Sequence, residues 1–332
     1  MLGVAVIGTG RWGKNHARVY KELMSEGIID NLKICDTDEQ CAKQIGETLE
    51  IQYTTNSHEL IEDDDITAVT IATPSMTHYQ IAKEFIEAGK DVLIEKPMTM
   101  NIDEARNLVD IAAECNRMLM VGHIFRYHPA LCELKRRIDA GELGEILNLI
   151  GRRLYFGVPR SDMGVIYALG IHELDSFCHL LSVHYPKGLI AATSRSYQQS
   201  TEETAIIVMD FNHAKGYAVE SWLLAPYGKV RDLVVVGTKA SARIDYLVPH
   251  ELHMFDNSIV TEGGIPVAIE GKGTRTISLP HSEPLKEELK HFVFCVVSRQ
   301  SPLSDGLVGL RAVVMAEAAL GSSRIGSTVA LS

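Results

Sequence analysis

The sequence lacks the features of several large classes of protein. Its six cysteines are scattered through apolar segments and form no C-x-x-C pair, which predicts buried reduced thiols and favours a cytoplasmic location. Basic residues are outnumbered, with 32 lysines and arginines against 43 aspartates and glutamates, and the densest basic run is Lys135-Arg136-Arg137. Because binding to a nucleic-acid backbone needs clustered basic side chains, we expect no nucleic-acid partner.

Long apolar runs are also missing. The opening Met1-Leu2-Gly3 carries no basic segment or cleavage site, and Gly8 ends the first apolar run, so we expect no signal peptide. No stretch approaches the roughly 18 apolar residues that a membrane span needs, so we expect no membrane partner. The chain has 332 residues, 46% of them hydrophobic and 23% charged, and this length predicts two domains.

Short apolar runs alternate with helix-like segments over residues 1–122. Such alternation is typical of an α/β domain with a doubly wound parallel sheet, which we predict here. The expected strands are Val4–Ile7, Leu32–Cys35, Ala68–Ala72, Asp91–Glu95 and Met118–Val121, and the expected helices are Gly13–Ser25, Asp38–Leu49, His78–Ala88 and Ile102–Cys115.

The pattern over residues 123–332 is different, because strands follow one another with turns between them. Consecutive strands predict a large, mostly antiparallel sheet in an α+β domain. The expected strands are Ile146–Phe156, Gly188–Tyr197, Thr204–Asp210, Gly216–Ala225, Val230–Gly237 and Ala242–Tyr246. The expected helices are Pro129–Ala140, Ile171–Leu181, Leu285–Ser298 and Leu307–Gly321, the last two packed on that sheet.

A G-x-G-x-x-G motif, Gly8-Thr9-Gly10-Arg11-Trp12-Gly13, lies between the first predicted strand and the first predicted helix. In this context the glycines allow a tight turn, close approach of a pyrophosphate and close packing of the helix, whose N-terminus attracts phosphate.

Asp36 ends the second predicted strand, where a carboxylate accepts hydrogen bonds from the adenosine ribose and repels a 2′-phosphate. No arginine or lysine occurs at positions 37–39, so we expect NAD rather than NADP. Asp36 would otherwise cap the next helix, a role that Asp38 can also fill.

Two further strand ends carry polar residues. Thr73, Pro74 and His78 follow the third strand, and Glu95-Lys96-Pro97 follows the fourth, where ligands of parallel sheets bind. Lys96 can hold a sugar hydroxyl there, and a partly desolvated ammonium can have a lowered pKa. The alternatives are a histidine that merely begins a helix and an ordinary surface lysine.

His172 is the candidate general base for oxidation of a hydroxyl, because an imidazole titrates near neutral pH. Asp175 lies three residues on and shares its helix face. His172-Glu173 begins like the zinc motif H-E-x-x-H, but position 176 is serine, so we expect no metal. The alternative for His172 is a histidine of the core.

Together these features resemble the glucose–fructose oxidoreductase, inositol dehydrogenase and MocA family, abbreviated Gfo/Idh/MocA. The segments that carry the resemblance are Gly8–Gly13, Glu95–Pro97, Gly122–Pro129, Asp139–Gly144 and Gly170–His172. The resemblance implies a Rossmann domain, an α+β domain with a large open sheet, catalytic roles for Lys96 and His172, and a homodimer or homotetramer formed through that sheet. Many family members carry an aspartate four residues before the histidine, where this chain has Ala168.

The expected site residues fall into two groups. Those expected to bind NAD are Gly8, Thr9, Gly10, Arg11, Trp12, Gly13, Asp36, Thr73, Pro74, His78, Glu95, Lys96, Pro97 and Arg126. Those expected to bind substrate are Lys96, Arg152, Arg153, Tyr167, His172 and Arg231.

The expected substrate is a nucleotide sugar. Val230–Gly237, Asp245-Tyr246 and Glu283–Leu285 resemble the branch of the family that oxidises UDP-N-acetylglucosamine-type sugars at C3. Bidentate contacts to a diphosphate would come from arginines, namely Arg152, Arg153, Arg160 and Arg231. Two alternatives stay open: a dehydrogenase of a free polyol or monosaccharide, and a non-catalytic NAD-binding regulator. The regulator is considered because Ala168 stands where many family members carry an aspartate.

Overall fold

A computed structural model describes residues 2–331, which divide into two compact units. The first contains the chain up to Ile124 together with Glu283–Val313, and the second contains Phe125–Ser282 and the chain from Val314 onward. Within the described residues the α-helices are α1 Gly13–Ser25, α2 Glu39–Leu49, α3 His58–Ile61, α4 His78–Glu87, α5 Ile102–Glu114, α6 Pro129–Asp139, α7 Ile171–Leu181, α8 Pro284–Ser298 and α9 Gly306–Ile325.

The strands in the same part of the chain are β1 Gly3–Ile7, β2 Asn31–Cys35, β3 Gln52–Thr54, β4 Ala68–Ile71, β5 Asp91–Glu95, β6 Leu119–Gly122, β7 Ile146–Leu154, β8 Gly188–Ser194, β9 Thr204–Phe211, β10 Ala214–Ser221, β11 Val230–Gly237, β12 Ser241–Asp245, β13 Glu251–Glu262, β14 Ile265–Ser278 and β15 Val329–Ala330. Short 3₁₀ turns occur at Ser75–Thr77, Ile124–Tyr127 and Ala225–Tyr227, and a π-helix at Ile166–Gly170.

The sheet of the first unit confirms the predicted doubly wound architecture. Over the described residues it has six parallel strands in the order β3-β2-β1-β4-β5-β6. The order reverses between β1 and β4, and ligands of such sheets bind beyond the carboxyl ends of the strands at this point. Strands β1, β4, β5 and β6 are buried along their whole length, as expected for parallel strands covered on both faces.

The sequence patterns missed two short elements of this unit, β3 and α3. Strand β3 has three residues, of which Gln52 and Tyr53 are exposed, because it lies at the edge of the sheet. Helix α3 is a single turn of four residues. Neither is long enough to show a hydrophobic period.

The prediction that the two C-terminal helices both pack on the second sheet was wrong. Helix α8 packs on α1, where Lys286 Nζ lies 3.0 Å from Glu22 Oε2 and 2.7 Å from Glu26 Oε1. The start of α9 lies against β6, since a Cβ on Gly309 would fall 2.5 Å from Val121 Cγ2. An amphipathic helix carries no signal of which sheet its apolar face covers, so the pattern could not decide this.

The sheet of the second unit is mostly antiparallel, as predicted. Over the described residues it has nine strands in the order β14-β13-β12-β11-β7-β10-β9-β8-β15. Its central pair, β7 and β10, is parallel, while the other neighbours are antiparallel.

The long hairpin β13–β14 was not predicted. Its turn is Gly263-Gly264, with φ values of +60° and +82°, a backbone conformation typical of a two-residue hairpin turn. The outer half of both strands has no buried residue among those described, so the alternation that marks a strand with one buried face is absent there.

One helix among residues 2–331, α9, is long and apolar enough to cross a membrane by length and composition, with 20 residues and a mean hydropathy of 1.2. This corrects the expectation that no stretch has this character. A helix in the core of a folded protein can have the same length and apolar composition, and half of the apolar stretch of α9 is buried inside the protein. The helix is therefore weak grounds for a membrane association.

Candidate active site

The glycine loop between β1 and α1 needs its three glycines for different reasons. Gly8 has a φ of +87°, a left-handed conformation that suits glycine. A Cβ on Gly13 would lie 1.7 Å from the carbonyl oxygen of Gly8, whereas a Cβ on Gly10 would meet no atom of residues 2–331 within 4 Å. The fold itself therefore requires Gly8 and Gly13, while Gly10 faces open space that a pyrophosphate can approach.

Asp36 is fixed against this loop just beyond β2. Its Oδ2 accepts hydrogen bonds from Thr9 N at 2.6 Å and Thr9 Oγ1 at 2.8 Å. The cap of α2 is Asp38, whose side chain accepts from two backbone N–H groups of the first turn. Asp36 is therefore not the helix cap, and its half-buried carboxylate stands beside the loop, where a ribose hydroxyl can donate to it.

Glu95 joins the end of β5 to the start of α1. Its Oε1 accepts a hydrogen bond from the indole N–H of Trp12 and lies 2.8 Å from His16 Nε2, while its Oε2 accepts from Lys96 N at 3.2 Å. Burial acts to raise the pKa of Glu95, but the hydrogen bond and charge of His16, with Lys96 and Trp12, lower it overall. Glu95 is thus a buried carboxylate that fixes Trp12 of the glycine loop and the backbone of Lys96.

His78 links the segments that follow β4 and β5. Its ring is 1% exposed, with Nδ1 2.9 Å from the carbonyl oxygen of Pro97 and Nε2 3.0 Å from that of Thr73. Burial lowers the pKa of His78. The Lys96–Pro97 peptide bond beside it is cis. The ring thus holds the loops that follow β4 and β5 together, and the expected contact of His78 with the cofactor stays a prediction.

His172 is the second residue of α7, and α7 directly follows the π-helix Ile166–Gly170. Its ring lies edge-on to the ring of Phe125, with centroids 4.7 Å apart and an interplanar angle of 87°. Such π-helical turns are rare and occur frequently at functional sites. The ring of the predicted general base is therefore held against Phe125, at the start of a helix that follows a π-helical turn.

Arg153 lies in the core beside His172 rather than on the surface. Its Nε is 2.7 Å from Glu173 Oε1, its guanidinium carbon lies 4.1 Å from the ring centroid of Phe125, and the residue is 2% exposed. The predicted diphosphate contact of Arg153 stays a prediction, and the burial of its guanidinium argues against it. Its role is to support the ring that touches His172.

Arg126 is also enclosed. Its Nε donates to Asp175 Oδ2 at 2.8 Å and its Nη2 to Asp175 Oδ1 at 2.6 Å, and both side chains are at most 5% exposed. This bidentate pair fixes helix α7, which carries His172, from the segment that follows β6. The expected contact of Arg126 with the cofactor stays a prediction.

Comparison with known proteins identifies the family. Residues 2–123 match a model described as oxidoreductase family, NAD-binding Rossmann fold, and residues 132–243 match the GFO/IDH/MocA C-terminal domain. The chain belongs to the Gfo/Idh/MocA family. This confirms the predicted cofactor, NAD, and the glycine loop with Asp36 fits it.

Individual relatives of this Gfo/Idh/MocA protein act on different compounds. It is 28% identical over 342 residues to a scyllo-inositol 2-dehydrogenase (NAD⁺) of Bacillus subtilis, covering 98% of this chain and 95% of that one. It is also 28% identical to a UDP-N-acetylglucosamine 3-dehydrogenase of Acidithiobacillus ferrooxidans, covering 95% of each chain. A solved structure of that 3-dehydrogenase matches with a TM-score of 0.82 at 26% identity, over 98% of both chains.

The remaining predicted arginines are on or near the second sheet. Arg152 forms a two-point ion pair with Asp232, from Nε to Oδ1 at 2.8 Å and from Nη2 to Oδ2 at 2.5 Å. Arg160 pairs in the same way with Asp162. Arg231 is half-buried on β11, opposite Arg153. Two of these guanidinium groups thus already have carboxylate partners.

The sequence patterns passed over several residues that hold predicted site residues in place within each unit of this Gfo/Idh/MocA protein. His16 was missed, although it contacts Glu95 together with the predicted Trp12, and the i, i+4 spacing of these two residues at the start of α1 was a usable signal. Phe125 and Glu173 had none, because the rings and charges they contact lie far away in sequence.

Proposed function

We propose that this chain oxidises a secondary hydroxyl of a sugar or cyclic polyol with NAD as hydride acceptor. Lys96 would hold the reacting hydroxyl and His172 would accept its proton. The observation that carries the proposal is the anchoring of Lys96, whose backbone N is bound by Glu95 at the carboxyl end of β5. That end of a doubly wound sheet is where its ligands bind.

The chemistry divides between a hydride and a proton. When bound, NAD supplies the acceptor for the hydride that leaves the carbinol carbon. The ammonium of Lys96 stabilises the negative charge that grows on the oxygen. His172 takes the hydroxyl proton, and the packing of its ring on Phe125 keeps it from turning away.

The ion pairs of the arginines favour an uncharged substrate. A diphosphate bound by Arg152 would compete with Asp232 for the guanidinium, and Asp232 is only 1% exposed, so weakening this pair would leave a buried carboxylate with less compensation for its charge. Arg153 is enclosed in the core. A free polyol or monosaccharide carries no phosphate, so its binding requires neither a change in the Arg152–Asp232 pair nor exposure of Arg153.

A nucleotide sugar is the second candidate. The specific observation in its favour is the similarity, 28% over 95% of both chains, to a UDP-N-acetylglucosamine 3-dehydrogenase. It needs at least one cation for the diphosphate, and Arg231 on β11 is the remaining predicted one.

The test is NADH formation, followed by absorbance, from scyllo-inositol, myo-inositol, glucose, levoglucosan and UDP-N-acetylglucosamine. Lys96→Met and His172→Asn should each lower kcat/KM by about 100-fold or more, as loss of positioned acid–base groups does. Lys187→Met, an exposed lysine of the second unit, is the control. NAD binding without turnover of any of these compounds would overturn the proposal in favour of a regulator.

The two substrate classes separate on Arg231→Ala. If the substrate is uncharged, this variant keeps kcat/KM within about 3-fold. If it is a nucleotide sugar, losing a charge-assisted contact should raise KM by about 10-fold or more. Mass spectrometry of small molecules carried through gentle purification would identify the bound compound directly.

A further inference from the structure

The carboxylate of Glu95 is shared by three groups from different segments of the first unit. Its Oε1 accepts a hydrogen bond from the indole N–H of Trp12, in the glycine loop, and lies 2.8 Å from Nε2 of His16 on α1. Its Oε2 accepts from Lys96 N at 3.2 Å, directly after β5. One side chain therefore connects the glycine loop to the backbone of the lysine proposed to act in catalysis.

The fold leaves this carboxylate little room to move. Glu95 is the register partner of Gly122 on the neighbouring strand β6, and a Cβ on Gly122 would lie 3.0 Å from Glu95 Oε1 and 3.2 Å from Oε2. His16 is fully buried. Because the two oxygens of a carboxylate belong to one planar group, a shift of the partners of Oε1 also moves Oε2, which is the acceptor of Lys96 N.

Trp12 is the member of this group that a ligand of the loop can reach. It is 39% exposed and lies two residues after Gly10, where the loop faces open space. Its ring is edge-on to the ring of His16, with centroids 6.0 Å apart, so the two partners of Oε1 also contact each other. An indole N–H can only donate, and here it donates to Glu95. A ligand that restrains Trp12 therefore restrains Glu95 as well.

We propose that Glu95 couples the glycine loop to Lys96, so that Lys96 N is held more firmly when a cofactor restrains the loop. Trp12 and His16 are then positioning residues that act on Lys96 through Glu95. The inference rests on the proposed function for the catalytic role of Lys96. It adds that the two partners of one carboxylate oxygen set the working position of that lysine.

The amide hydrogen of Lys96 reports the coupling directly, without any substrate. Hydrogen–deuterium exchange, read at single-residue resolution by mass spectrometry, should slow at Lys96 by about 10-fold when NAD saturates the wild-type protein. Trp12→Phe keeps an aromatic ring but removes the donor to Glu95, so its NAD-dependent slowing should be less than about 3-fold. No slowing in the wild type, or equal slowing in Trp12→Phe at saturating NAD, would overturn the inference.

Kinetics test the role of His16. His16→Leu removes the partner of Glu95 and should lower kcat by about 10-fold, with the Kd for NADH unchanged. His16→Gln should stay within about 3-fold, because its amide can still donate to the carboxylate. In a Lys96→Met background, His16→Leu should cause no further loss in single-turnover rate, since its effect passes through Lys96. A further loss there, or wild-type kcat in His16→Leu, would overturn the inference while leaving the proposed function intact.

A control on the same helix separates positioning from damage to the fold. Tyr20→Phe removes another buried hydrogen bond of α1, 2.8 Å between the phenol oxygen and Thr70 Oγ1. It should lower Tm but change neither kcat nor the exchange of the Lys96 amide; a loss of kcat equal to that of His16→Leu would contradict the positioning role. If NAD slows exchange at Lys96 as expected but the wild type oxidises no compound of the panel, the proposed function fails and the coupling stands.

Discussion

The ring of Phe125 contacts both the ring of His172, 4.7 Å away by ring centroids, and the guanidinium of Arg153, whose carbon is 4.1 Å from the Phe125 centroid. Edge-to-face ring contacts contribute about 0.5–1.5 kcal/mol and restrict orientation. Phe125→Leu should therefore lower kcat by about 10-fold and leave the Kd for NADH unchanged. Steady-state kinetics and NADH fluorescence measure this. Phe294→Leu, which alters an exposed ring on α8, is the matched control; an equal loss there would refute the support role.

Removal of Arg153 should destabilise the second unit strongly. Its partner Glu173 is buried, and Arg153→Met leaves that carboxylate without its cation, which typically costs about 3–5 kcal/mol. Urea unfolding followed by circular dichroism measures the free energy. Arg160→Ala breaks an exposed pair and should cost less than about 1 kcal/mol. Similar losses in both variants would contradict the burial argument.

The stability of the first unit should depend on Glu288. Its carboxyl is 0% exposed and has no hydrogen-bond partner among the described residues, and burial first, then the charge of Glu95, raises its pKa well above the ordinary value. The folded state therefore keeps a proton that the unfolded chain loses, so this group's contribution to stability falls as pH rises above the ordinary glutamate range.

Glu288→Gln replaces the titrating carboxyl with an amide, so the variant does not lose this contribution to stability as pH rises. The difference in Tm between variant and wild type should be small near pH 4 and should grow in favour of the variant toward pH 8. Thermal unfolding across this pH series measures it. Glu287→Gln, the exposed neighbour on α8, should show no such trend. A pH-independent difference for Glu288→Gln would mean that the carboxyl is ionised in the folded protein.

Cofactor choice should follow Asp36. Asp36→Ala removes the carboxylate beside the glycine loop and should weaken NAD binding by about 10-fold. The ratio of the affinity for NAD to the affinity for NADP should fall as well, because the carboxylate that repels the 2′-phosphate is gone. Titrations with both dinucleotides give the ratio. Asp38→Ala loses the cap of α2, costing about 1 kcal/mol of stability, but should leave the ratio unchanged. A changed ratio in Asp38→Ala instead would move the discriminating role to that residue.

The predicted homo-oligomer has a testable surface on the hairpin β13–β14. One face of its outer part carries exposed apolar side chains, and Ile259 lies directly opposite Ile269. Exposed apolar patches commonly mark association sites. Ile269→Lys should lower the molar mass measured by light scattering, whereas Thr261→Lys, a polar control on the same strand pair, should not. An unchanged mass in both variants would contradict assembly through this face.

Local sequence patterns predicted most of the fold, but they predicted few of the side-chain contacts around the candidate site residues. The doubly wound, parallel class of the first sheet follows from apolar runs that alternate with amphipathic segments, and Gly8, Gly10 and Gly13 carry their signal within six residues of sequence. These signals are local because they reflect backbone conformation and the repeat of a single element.

What the patterns could not provide is the identity of partners. Whether Arg153 meets a phosphate or Glu173, and whether His78 faces a ligand or two carbonyl oxygens, depends on residues that are distant in sequence. The missed hairpin is a different case: its turn Gly263-Gly264 was visible, but its exposed strands lack the alternation that one buried face imposes.

The return of Glu283–Val313 to the first unit has a consequence for synthesis on the ribosome. Val121 N, on the edge strand β6, is hydrogen-bonded to the carbonyl oxygen of Ser304 at 2.7 Å. At about 5–20 residues per second, the NAD-binding sheet is translated roughly ten seconds or more before the segment that covers this edge. Until then the nascent chain carries an open strand edge, a time window in which a chaperone or a neighbouring nascent chain can bind it.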